Sequence, residues 1–81
     1  MTIYVVSSNY FNSGIFGIYS SIKRAQIAFE DFLVNNKYIV TYKKLNGYCY
    51  QFTTQSKETF KAEIYYDVLD AEFIAGICKE G

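Results

Sequence analysis

Tyr38-Ile39-Val40-Thr41-Tyr42-Lys43-Lys44-Leu45-Asn46-Gly47-Tyr48-Cys49-Tyr50-Gln51-Phe52-Thr53-Thr54 decides the fold. β-Branched and aromatic residues crowd both halves of this stretch, and such side chains suit a pleated, half-buried surface. Asn46-Gly47 interrupts it. An Asn-Gly pair between two β-rich runs marks a two-residue hairpin turn, because both central residues need positive φ. A turn of that kind pairs Leu45 with Tyr48, Lys43 with Tyr50, Thr41 with Phe52 and Ile39 with Thr54. One face then carries Ile39, Leu45, Tyr48, Tyr50 and Phe52 and turns inward. The other carries Tyr38, Val40, Tyr42, Lys44, Cys49, Gln51 and Thr53 and turns to water or a partner.

Gln55-Ser56-Lys57 forms the next turn. Beyond it Phe60, Ala62, Ile64, Tyr66 and Val68 alternate with Thr59, Lys61, Glu63, Tyr65 and Asp67. Strict alternation of this length reads as a strand with one buried face. The segment 70–78 admits two readings. Asp70 caps a short helix, or Phe73, Ala75 and Ile77 face inward from a last strand; Gly76 favours the strand.

On the other side of the hairpin, Ile22, Ala25, Ala28, Phe29, Phe32 and Leu33 follow helical spacing. Ser20 or Ser21 offers the N-cap hydroxyl. The helix is expected to end near Asn35-Asn36, since Asn tolerates the left-handed conformation that closes helices. At a helical 100° per residue, Ile27 and Val34 fall about 120–140° from Ile22, outside the core stripe. They are either incidental exposed residues or a contact with a partner or a second copy. Earlier still, Thr2 to Ser7 is apolar on both faces, as a central strand requires. Ser8 to Gly14 is a turn carrying Tyr10 and Phe11, and Ile15 to Tyr19 completes a hairpin.

The 81-residue chain is therefore expected to be a single α+β domain spanning 1–81. One helix packs on an antiparallel sheet of about five to six strands, in the order β-β-α-β-β-β(-β). Hydrophobic residues make up 51% of it and charged residues 20%, a composition that excludes a disordered chain. A domain of this size has a small core, usually supported by disulfides, metals or self-association. Cys49 and Cys78 are too few for a secreted disulfide scaffold, and both are expected to be reduced. No His is present, so the commonest metal ligand and general base are missing. Self-association is left as the support. No apolar run approaches the length that spans a bilayer, and the protein is expected to be cytoplasmic.

Eight basic and eight acidic side chains cancel overall, but unevenly. Residues 1–61 carry seven basic and three acidic groups, and residues 62–81 carry one basic and five acidic. Either the last strands lie beside basic ones as cross-strand pairs, or the molecule has two opposed patches suited to self-association or a polar partner. Lys43, Lys44, Lys57 and Lys61 supply the basic patch.

No catalytic constellation is found: there is no GxGxxG, phosphate loop, CxxC or GxSxG. Glu30 and Asp31 are adjacent on the helix and point about 100° apart, so they make no carboxylate pair. No metal and no cofactor are assigned. Ile27, Val34, Tyr38, Tyr42 and Tyr65 are the candidate protein-interface residues. Lys43, Lys44, Lys57 and Lys61, with nearby tyrosines, are the candidate nucleic-acid contacts, since aromatic faces beside cations stack single-stranded bases.

The opening segment adds a resemblance. Ile3-Tyr4-Val5-Val6-Ser7-Ser8, then Gly17-Ile18-Tyr19-Ser20-Ser21, then Ala25, resembles small phage accessory proteins with a YVVxS strand and a GVYSS strand entering a helix. The resemblance covers about the first 33 residues. The richness in Asn, Lys, Ile and Tyr suits an AT-rich genome such as many phages have. What the resemblance implies is a context, the host-cell cytoplasm, in which such proteins bind and inhibit host or defence proteins; no site residue transfers from it. The expected function is a non-enzymatic, self-associating protein that occludes a bacterial host or antiviral-defence protein. The alternatives are an RNA or single-stranded nucleic-acid binder and a sponge for a small nucleotide.

Overall fold

A computed structural model describes residues 2–68. The elements run β1 (Thr2–Ser8), β2 (Ile15–Tyr19), α1 (Ile22–Asn35), β3 (Ile39–Asn46), β4 (Cys49–Thr54) and β5 (Thr59–Val68). All strand pairs are antiparallel, and the sheet order is β2-β1-β5-β4-β3. The molecule is thus the expected α+β arrangement of one helix on an antiparallel sheet. β1 has β2 on one side and β5 on the other, as its two apolar faces required. The segment 70–78, with its two alternative readings, and Cys78 lie outside the described residues.

Ser21 caps α1: its hydroxyl accepts the Arg24 amide at 3.1 Å. The helix stops where expected but by another device. Asn36 is extended, with φ −90° and ψ 112°, and not left-handed. Its side-chain carbonyl accepts the Tyr38 amide at 2.9 Å, so an Asx turn redirects the chain into β3.

Helix positions Ala25, Phe29 and Leu33 are buried against Val6, Tyr19, Tyr50, Phe52, Ala62 and Ile64. Aromatic rings dominate this core. Phe29 lies 5.4 Å from the Tyr50 ring and 6.0 Å from Phe52. The β1–β2 loop contributes as well: Tyr10 packs 5.1 Å from Phe60 and 5.4 Å from Phe52, and Phe11 packs 5.5 Å from Phe32. Edge-to-face pairs of this kind add to the apolar area they bury. The loop is folded back by a Ser8 amide to Gly14 carbonyl bond of 3.0 Å, with Gly14 at φ +80°. Gly17 has its own reason: a Cβ there meets the Tyr19 hydroxyl at 2.5 Å, so the glycine leaves room for that ring. On the far face of the sheet, Ile3 and Val5 form a second small buried cluster with Ile18 packed against it.

The β3–β4 hairpin departs from the register expected for an Asn46-Gly47 turn. The observed partners are Asn46 with Cys49, Lys44 with Tyr50, Lys43 with Gln51, Tyr42 with Phe52 and Thr41 with Thr53. Neither Asn46 nor Gly47 has positive φ. The Asn46 side-chain carbonyl accepts the Tyr48 amide at 2.7 Å, which moves the turn onto Gly47-Tyr48. The Gly47 carbonyl is in turn gripped by the Gln26 side-chain amide at 2.7 Å. Irregularities between Lys44 and Asn46 and between Ile39 and Thr41 absorb the shift. A one-residue slip moves side chains to the opposite face. Tyr42 and Lys44 therefore lie on the helix face with Tyr50 and Phe52, and Thr41 and Lys43 lie on the far face.

Candidate functional site

Among the described residues β3 is the sheet's outer strand, with β4 on one side and no strand on the other. Seven of its eight residues are exposed, Ile39 alone being half-buried. Its apolar residues are left in water: Val40 is 62% exposed, Tyr42 42% and Leu45 42%. Tyr38, just before the strand, and Tyr48, in the turn after it, extend the exposed series. The cause is placement of the helix. α1 packs Ala25, Phe29 and Leu33 onto β1, β2, β4 and β5; over β3 it offers Glu30, which meets Lys44, and half-buried Ile39 is the residue of that strand packed against the core.

Among the described residues, the exposed aromatic ones are all tyrosines. The six described phenylalanines are buried or half-buried, whereas Tyr38, Tyr42, Tyr48, Tyr65 and Tyr66 are exposed. Tyrosine supplies a rigid apolar body with a polar tip, which suits a surface that is wet when free and covered when bound.

The candidate interface residues are all exposed, but they do not form one patch. Tyr38 and Tyr42 lie along the β3 edge. Ile27 and Val34 lie on the helix, away from the core stripe of Ala25, Phe29 and Leu33. Tyr65 lies opposite Val5, on the far face of the sheet.

The candidate nucleic-acid lysines are separated as well. Lys43 and Lys61 flank Gln51 in one cross-strand row on the far face. Glu63, two residues along β5 from Lys61, shares that face. Lys44 is on the helix face, where its ammonium lies 3.5 Å from Glu30 Oε2. Lys57 sits in the β4–β5 turn with φ +68°. The exposed Tyr42 and Lys43 consequently point to opposite faces, and the register does not assemble them into a stacking surface.

Glu30 also accepts the Tyr50 hydroxyl at 2.5 Å. Burial, with the Glu30 hydrogen bond and the nearby carboxylate charge behind it, holds the Tyr50 hydroxyl protonated well above the ordinary tyrosine range. This contact ties the helix to β4, and Gln26 to Gly47 ties it to the hairpin tip. Gln26 and Glu30, four residues apart beside the core stripe, are a helix pair on one side. That spacing was the available signal for both latches. A Tyr held protonated and locked to a carboxylate is poorly suited to general-base work.

Cys49 is a half-buried free thiol. Among the described residues no three His, Cys, Asp or Glu side chains gather to hold a metal, and no helix is long and apolar enough to cross a membrane. Compared with known proteins, the chain has no significant match to a family model, a curated protein or a solved structure.

Proposed function

We propose that the protein is a non-enzymatic binding module that acts by covering part of another protein through its tyrosine-lined sheet edge. The observation that carries this reading is β3, among the described residues an edge strand exposed on both faces with Val40, Tyr42 and Leu45 uncovered. Tyrosine-rich surfaces with unpaired strand edges are what protein partners cover. The likeness of about the first 33 residues to phage accessory proteins supports a bacterial host or defence protein as the partner. Self-association belongs to the same reading, because an exposed edge serves a second copy or a foreign chain by the same physics.

The test is stable association under native conditions. Light scattering at micromolar concentration reports self-association, and affinity capture from bacterial lysate reports a partner whose retention is then measured with the purified protein. The expected result is a defined complex by one of these routes. A strict monomer that retains no protein in either measurement would end the proposal.

A further inference from the structure

We infer that the edge of β3, open among the described residues, takes up a short extended segment of a partner protein as an added strand, and that this segment is acidic on the face that passes Lys43. This rests on the binding reading above and names its recognition mode. An added strand gains affinity from main-chain hydrogen bonds and specificity from alternate side chains.

Three features set what fits. The ladder between β3 and β4 is regular only from Thr41 to Lys44, between the two irregularities. The straight edge offered to a ligand is correspondingly short, which selects a brief extended segment and not a long strand. Along it the faces alternate: Tyr42 and Lys44 on the helix side, Thr41 and Lys43 on the far side. An apolar or aromatic residue of the segment lies beside Tyr42 on one face.

Charge decides the occupant. Lys43 has no acidic partner among the described residues, and the row it begins runs through Gln51 to Lys61. Lys44 meets Glu30 only through a partly exposed contact. A second copy offering its own β3 brings two more lysines to the same short edge, and like charges across a strand pair are unfavourable. An acidic segment reverses that sign and extends the Lys61–Gln51–Lys43 row with a carboxylate. Lysines on an edge strand thus act in both directions: they discourage the wrong pairing and select the right one.

The probes are three end-capped octapeptides: alternating valine and glutamate, alternating valine and lysine, and the glutamate peptide N-methylated at alternate amides. Binding is followed by amide chemical shifts of the intact chain. The expected result is that the glutamate peptide alone binds, with shifts centred on residues 40–45. Lys43→Glu is expected to weaken it at least tenfold while leaving the remaining spectrum unchanged. Tyr42→Pro, which removes a backbone donor, serves as a second block; should that variant fail to fold, Lys43→Glu still decides. Equal binding of the glutamate and lysine peptides overturns the inference, as do shifts located elsewhere. Concentration-dependent broadening confined to β3 without peptide also overturns it, in favour of a second copy. A partner protein that is retained equally by wild type and by Lys43→Glu overturns the edge mode while leaving the binding reading intact.

Discussion

β3 and β4 are two arms of one hairpin, each with four β-branched or aromatic residues, and they have opposite fates. β4 alternates strictly, with Tyr50, Phe52 and Thr54 buried. β3 buries none of its residues fully. Intrinsic preference does not separate them. What separates them is the neighbour on the far side: β4 has β5 beside it and Phe29 above it, and β3 has neither. The same kind of side chain is core material in one strand and contact surface in the next.

Substitutions on the two arms are expected to differ sharply in urea unfolding. Phe52→Ala empties a site enclosed by Phe29, Tyr10 and Phe60 and is expected to cost about 3–5 kcal/mol, as large-to-small changes in aromatic cores do. A cost below about 1 kcal/mol would mean that β4 is not the core arm.

Tyr50→Phe keeps the ring and removes the bond to Glu30. Its expected cost is about 1.5–3 kcal/mol, the range for a hydrogen bond to a charged group. The same variant changes the alkaline limb of stability. The native Tyr50 hydroxyl keeps its proton where the unfolded one, near pH 10, gives it up, so the unfolded state binds fewer protons. Stability is complete below pH 10 and falls as pH rises above it. Tyr50→Phe should flatten that fall, as read from urea midpoints between pH 9 and 11. An unchanged slope would show that Tyr50 does not set it.

Lys57→Gly probes the turn that folds β4 onto β5. A three-residue loop of this kind ends in a left-handed position, and Lys57 occupies it at φ +68°. Glycine relieves a strain of about 1–2 kcal/mol, partly offset by its greater freedom when unfolded, so a net gain of about 1 kcal/mol is expected. A loss on thermal unfolding would place an unrecognised contact on the lysine. The smallest effect belongs to β3: Val40→Thr should leave stability within about 0.5 kcal/mol. A larger loss there would mean that the strand is covered in the free protein.

Most of the architecture was readable because each element carried its own period. Helical spacing from Ile22 to Leu33 and alternation from Phe60 to Ile64 are both realised as buried faces. The alternation lost its meaning beyond Ile64. Tyr66 and Val68 keep the inward parity but are exposed, because β4 begins opposite Glu63 and, among the described residues, nothing pairs with them on that side. The hairpin register was misread for a nearby reason. Asn-Gly favours a turn on its own two residues, but the Asn46 side chain bonds to Tyr48 and Gln26 holds Gly47. The second of these is a tertiary contact from a helix residue 21 positions earlier, which local pattern does not encode. The candidate site shifts with the register: an Asn-Gly turn puts Tyr42 and Lys44 on the face of Gln51, and they lie instead on the face of Tyr50 and Phe52.

The pairing of β1 with β5 sets how the chain reaches this state. It joins Thr2 to Val68 and Ser8 to Ala62, with nearly all of the described chain looped between them. Such distant pairings form slowly, because loop entropy is lost before any contact repays it. On the ribosome β1 waits, apolar on both faces, until β5 has emerged, while β3, β4 and β5 can zip through their short turns. The sheet's centre is therefore the last part to close, and that interval is when this small protein is most open to aggregation or capture.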